Sequence, residues 1–156
     1  MDHPDKTPVP RSTKWPEVEK THRAEHPNCA ACLVPGAPVQ VHHIFPFHYA
    51  IALGRPDLEL DDRNLISLCE TEKGNPAENH HLLIGHLGNF KEGNLSVWFD
   101  AQRTWHGMTE AQIKSAHGWK LAPKLKDLDK MTDDEKAALR ALMDKTFPAG
   151  DKKEEK

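Results

Sequence analysis

The chain has no apolar run of the ~18 residues that a membrane-spanning helix needs. Its first ten residues are polar and proline-rich, without the apolar stretch of a secretory signal, so a cytoplasmic location is expected. Cysteine is scarce. There are three in 156 residues, and an odd number argues against a disulfide framework. In a reducing compartment all three would be thiols, open to a metal. Cationic excess is missing too. The formal charge is −3, so affinity for a polyanion would have to come from a few local contacts rather than long-range attraction. There are no internal repeats.

What is present is lean. Hydrophobic residues make up 37% and mean hydropathy is −0.72. Small polar domains commonly need a staple, a metal or disulfides, to offset a thin core. The length suits one domain, or one domain with extensions. Residues 1–12 hold three prolines and no apolar period, and read as a disordered arm. Residues 13–26 read as a helix, with Pro16 in its first turn and Trp15, Val18 and His22 on one face. Residues 39–44 alternate as a strand, 45–63 read as an irregular excursion, and 64–69 form a second short strand. Residues 80–87 read as a helix capped by Asn79. Farther on, Val97, Trp98 and Phe99 look buried. Thr109 with Gln112, and Thr132 with Glu135, match the capping-box pattern of two more helices. Residues 151–156 are a charged tail. The expected class is α+β, a small ββα core with a brace helix before it and helices after it.

Cys29 and Cys32 form a C-x-x-C turn that can bite one ion from a single loop. Cys69 follows the second strand directly, and a tetrahedral structural site needs four closed ligands. His80 is the nearby candidate for the fourth. Such a Cys₃His zinc site would tie the turn, the strand end and the helix start together. Structural zinc can supply roughly 10–16 kcal/mol, comparable to the whole net stability of a small domain, about 5–15 kcal/mol. The plain alternative is three buried cysteines acting as small hydrophobes.

His42 and His43 sit between β-branched neighbours that favour a strand. Successive strand side chains point to opposite faces, so the two imidazoles have different tasks. One can hold a metal while the other faces a substrate or its water.

Taken together, Cys29-Ala-Ala-Cys32, Val41-His42-His43-Ile44, Asn64-Leu-Ile-Ser-Leu-Cys69 and His80-His81-Leu-Leu-Ile-Gly-His86 resemble the HNH endonuclease family. The similarity is closest to its phage-type members and covers about residues 15–90. The resemblance implies a ββα-metal fold, phosphodiester hydrolysis and DNA as partner. It divides the chain into a nuclease domain over 13–100 and a helical extension over 101–150. It implies that His42 and His81 hold a catalytic divalent ion, that His43 is the general base, and that Asn64 braces the loop carrying the base. This chain departs from the family at residue 80, where many members have a fourth cysteine. His86 is either a third ligand of the catalytic ion, a phosphate contact or a helix-end histidine. The catalytic ion would be Mg²⁺, Mn²⁺, Ni²⁺ or Zn²⁺.

Arg55, Arg63, Lys91 and Arg103 are candidate phosphate contacts, ordinary solvated charges being the alternative. Two further functions compete with the nuclease. One is a zinc-stabilised module that binds DNA or protein without chemistry. The other is a packaging accessory working beside a phage terminase, in which case the compartment would be the host cytoplasm.

Overall fold

The computed structural model describes residues 10–32, 34–70, 79–89, 92–116, 119 and 125–149. Most of the expected arm, Lys91 and the charged tail lie outside the described residues. The fold is α+β, with helices α1 (Trp15–Glu25), α2 (Phe47–Ala52), α3 (Val97–Phe99), α4 (Glu110–Ser115) and α5 (Asp133–Thr146) around strands β1 (Val39–His43) and β2 (Leu65–Cys69). Among the described residues no helix is long and apolar enough to cross a membrane.

β1 and β2 pair antiparallel, with Val39 opposite Cys69, His42 opposite Ile66 and His43 opposite Leu65. β2 is buried along its whole length. A two-stranded sheet cannot stand alone in water, and here α1 and a π-helical turn (His81–Gly85) pack on it. α1 takes Pro16 in its first turn, as expected, and buries His22. Its far end is pinned by Ser67, whose hydroxyl donates to His26 O at 2.7 Å.

Three expectations about local structure and burial need correction. Residues 45–63 are not irregular. They contain α2 and two 3₁₀ turns, Pro56–Glu59 and Asp62–Asn64. Pro46 precedes α2, and Gly54, at φ 89°, supplies the left-handed residue that stops it. Phe47–Ala52 is too short to show a helical period in sequence. Second, of Val97, Trp98 and Phe99 only Val97 is buried, while Trp98 and Phe99 are 50% and 56% exposed. Three consecutive residues of a helix cannot all face inward. Third, the expected helix over 80–87 is a single π-helical turn.

Both capping boxes form, at Thr109 with Gln112 and at Thr132 with Glu135. The later helices share the core of the strands: Leu139 and Met143 join one apolar cluster with Phe45, Tyr49 and Leu58. Arg55 also belongs to this contact. It is 2% exposed. Its guanidinium donates to Asp57, to Asp144 Oδ1 at 2.8 Å and to Phe147 O at 2.8 Å. Arg55 is therefore a clamp between the loop and α5, and the expectation of a phosphate contact there is corrected.

Candidate metal centres

Two groups of metal-ligating side chains flank the sheet. In the first, Cys29, Cys69 and His80 present one donor atom each, all within 4.8 Å of one another, and all three residues are buried. His80 Nδ1 lies 3.2 Å from Cys69 Sγ and 4.0 Å from Cys29 Sγ. Around tetrahedral zinc, S and N ligands would stand ~3.6 Å apart, from bond lengths of about 2.3 and 2.0–2.1 Å. The His80 Nε2–H donates to Met108 O at 2.8 Å. A carbonyl only accepts, so the proton is on Nε2 and the Nδ1 lone pair faces the sulfurs. This outer hydrogen bond is the usual device for orienting a ligand imidazole.

The backbone also favours thiolates here. Ala31 and Cys32 N–H groups donate to Cys29 Sγ, His80 N–H to Cys69 Sγ, and Val34 N–H to Cys32 Sγ. Cys32 is buried on the same turn, but its sulfur stands outside the three-atom group. Cys29 and Cys69 share hydrogen-bonding capacity, so the first proton leaves easily and the second is held. The hydrogen bond with Cys69 is the largest influence lowering Cys29 to about 4. The same contact, then burial, pushes Cys69 far above the thiol range. A cation at this point would neutralise both. The donor set can hold a metal ion.

In the second group His42, His81 and His86 converge, again with one donor atom each within 4.8 Å. His81 Nε2 is 3.2 Å from His42 Nδ1 and 3.2 Å from His86 Nε2. Adjacent nitrogens around tetrahedral zinc would be ~3.3 Å apart. The back nitrogens of two rings are committed. His81 Nδ1–H donates to Glu70 Oε1 at 2.5 Å, and His86 Nδ1–H donates to Glu92 O at 2.8 Å. In the neutral rings the two Nε2 atoms therefore face each other as lone pairs. Burial, together with the neighbouring imidazoles, holds His42 well below its usual range and His86 at about 4. Burial lowers His81 as well, against the pull of Glu70. Protonation is thus a poor way to relieve the facing lone pairs, and a cation is a good one. His42 is buried, whereas His81 and His86 are half-buried. One side stays open to solvent, unlike the closed cysteine group.

The π-helical turn decides this geometry. His81 and His86 are five positions apart, which an α-helix would splay by more than a full turn. A π turn widens the repeat by one residue and brings i and i+5 together. Gly85 gives His42 its room: a Cβ there would meet His42 Cε1 at 3.1 Å and Nδ1 at 3.3 Å. Leu87, at φ 52°, ends the turn in the left-handed region although it is not glycine, a strain that persists only where packing holds it. Leu87 is 1% exposed.

His43 points away from both groups. Its Nε2–H donates to Glu59 O at 2.9 Å, so Nδ1 is the lone-pair nitrogen. Burial lowers it to about 4, with the nearby Arg11 charge acting the same way and the Glu59 bond opposing. Its ring lies 4.7 Å from Trp15 and 5.9 Å from Phe47. Asn64 is fully buried. Its Oδ1 accepts from Phe45 N at 2.8 Å, and its Nδ2 donates to Phe45 O and Leu58 O at 3.0 Å each. It closes the loop that carries Glu59, hence positions His43.

Arg11 was missed from sequence because it sits in the expected arm. Its guanidinium stacks on Phe47 at 4.0 Å and Trp15 at 4.8 Å, and the adjacent Ser12 N donates to Glu59 Oε2 at 3.0 Å. A lone arginine after a proline carries no sequence signal. Arg63 is paired with Asp61 and reaches Pro148 O. Arg103 is exposed, on a second π-helical turn (Asp100–Thr104).

No family model matches this chain, and neither a curated protein nor a solved structure gives a significant match.

Proposed function

We propose that this protein is a metal-dependent DNA endonuclease of the HNH type, in which β1, β2 and the π-helical turn form the ββα-metal core. The observation that carries the reading is the convergence of His42, His81 and His86 on one point, with the adjacent His43 kept neutral by burial and oriented by its bond to Glu59 O. His43 Nδ1 accepts the proton of the attacking water, a task suited to a group neutral at physiological pH. Asn64 positions it. The divalent ion on the three histidines would supply charge stabilisation at the scissile phosphate and the leaving 3′ oxygen. Cys29, Cys69 and His80 would hold zinc as a staple, with Cys32, on the same turn as Cys29, the candidate for the fourth ligand. Arg11, beside His43, replaces Arg55 as the candidate phosphate contact, with Arg63 and Arg103 at the periphery.

A second reading is a zinc-stabilised DNA- or protein-binding module. It is favoured by the cover over His43, which leaves that residue 7% exposed. A packaging role beside a phage terminase belongs to this second class. A plasmid-nicking assay with Mg²⁺, Mn²⁺, Ni²⁺ or Zn²⁺ separates the two. The nuclease reading expects nicking by the intact protein and a loss of about 10²–10⁴-fold in His43→Ala with unchanged metal content. Equal inertness of both proteins with every ion would leave the binding module.

A further inference from the structure

We propose a further divalent-metal site, separate from the two centres above and independent of the nuclease reading, formed by His22, His26 and Asp62. His22 and His26 are four positions apart where α1 ends, so they lie on one face, one turn apart. Their ring centroids are 4.5 Å apart. Asp62 arrives from the 3₁₀ turn before β2, and its Oδ1 is 2.6 Å from His22 Nδ1. One donor atom from each of the three residues lies within 4.8 Å of the others.

His22 is 3% exposed, and Nδ1 is the ring nitrogen it turns to Asp62, so a cation held here would take the place of the proton that the two now share. His26 and Asp62 are exposed on the wall of a cleft of about 530 Å³ that Trp98 and Arg63 also line. The Arg63 charge is paired with Asp61 and so does little to repel a cation.

Two imidazoles and one carboxylate suit a borderline ion such as Zn²⁺, Co²⁺ or Ni²⁺. Mg²⁺ and Ca²⁺ prefer all-oxygen sets. Solvent from the open cleft completes the coordination, so this ion exchanges where a closed zinc staple does not. Its effect is mechanical. It fastens the end of α1 to the turn before β2, and the opposite end of α1 carries Trp15 over His43.

The test counts zinc on the full chain by equilibrium dialysis against buffered free Zn²⁺. His26→Ala is the first variant, because an exposed side chain is removed without opening the core. Asp62→Asn is the second. Each is expected to bind one equivalent fewer than the wild type, or the same equivalent at least ~10-fold more weakly. In the wild type, Co²⁺ should shift the imidazole proton resonances of both His22 and His26. A full zinc complement in His26→Ala at every free-zinc concentration overturns the site. So does an equivalent lost with His26 but kept in Asp62→Asn, with His22 resonances unmoved by Co²⁺, since that is chelation by a surface imidazole.

Discussion

His81 Nε2 and His86 Nε2 stand 3.2 Å apart although an α-helix would not superpose residues five positions apart. Each has its other nitrogen committed as a donor, to Glu70 and to Glu92 O. Two lone pairs are thus held face to face beside His42 in a half-buried site, and the inserted residue of the π-helical turn is what holds them. A cation is the simplest occupant of such a point.

Gly85 is where this arrangement is most easily broken. Gly85→Ala adds a methyl 3.1 Å from the His42 ring, closer than that ring tolerates without moving. The expected result is at least ~10-fold weaker binding at the three-histidine site, by analogy with outer-shell losses at metal sites, with zinc at the cysteine site unchanged. Calorimetric Mn²⁺ or Ni²⁺ titration of the zinc-loaded variant measures it. Unaltered affinity would show that His42 is not a ligand.

Cys69→Ser should be far more damaging than its single atom suggests. It removes one buried sulfur from a group whose ion would contribute roughly 10–16 kcal/mol. The expected outcome is loss of bound zinc and of the cooperative thermal transition seen by circular dichroism. A variant that keeps its zinc through chelator dialysis would contradict the thiolate assignment.

Acid should destabilise the fold in a defined window. His43 is lowered from 6.5 to about 4, so between these pH values the unfolded chain binds the proton and the folded chain does not. The stability His43 contributes is complete above pH 6.5 and is lost as pH falls towards about 4. Urea midpoints of the wild type should decline across that range. In His43→Gln the decline should be shallower, and identical slopes would remove His43 from the account.

Arg55 and Arg11 should separate folding from binding. Arg55→Met removes a buried guanidinium that donates to Asp57, Asp144 and Phe147 O, and the urea midpoint should fall with DNA affinity per folded molecule unchanged. Arg11→Ala should leave the urea midpoint nearly unchanged. It should reduce the salt dependence of DNA binding by about one phosphate contact. Fluorescence anisotropy across a salt series reads both, and the reverse pattern would exchange their roles.

Much of this is legible in the sequence. The two strands, the brace helix, both capping boxes and the pairing of Cys69 with His80 follow from local pattern, because strand alternation, caps and proline stops act over a few residues. His42 and His43 were separable for the same reason: adjacent strand positions face opposite ways. The hidden features depend on distant partners. Arg55 reads as a surface charge until Asp144, far along the chain, comes to meet it. Trp98 and Phe99 read as core by composition, and only the path of α3 turns them outward. Cys32 is half of an obvious motif, yet the donors that meet within 4.8 Å are those of Cys29, Cys69 and His80.

The sequence by itself determined which cysteines and histidines could serve as metal donors in the two centres beside the sheet and which short elements hold them, since side-chain type and local period are properties of neighbouring residues. Tertiary structure alone decided how those donors are grouped. The one-residue widening that aligns His81 with His86, the space left by Gly85 and the meeting of His22 with Asp62 are set by packing between segments far apart in the chain. Packing free energy, unlike helix or strand preference, leaves no local trace.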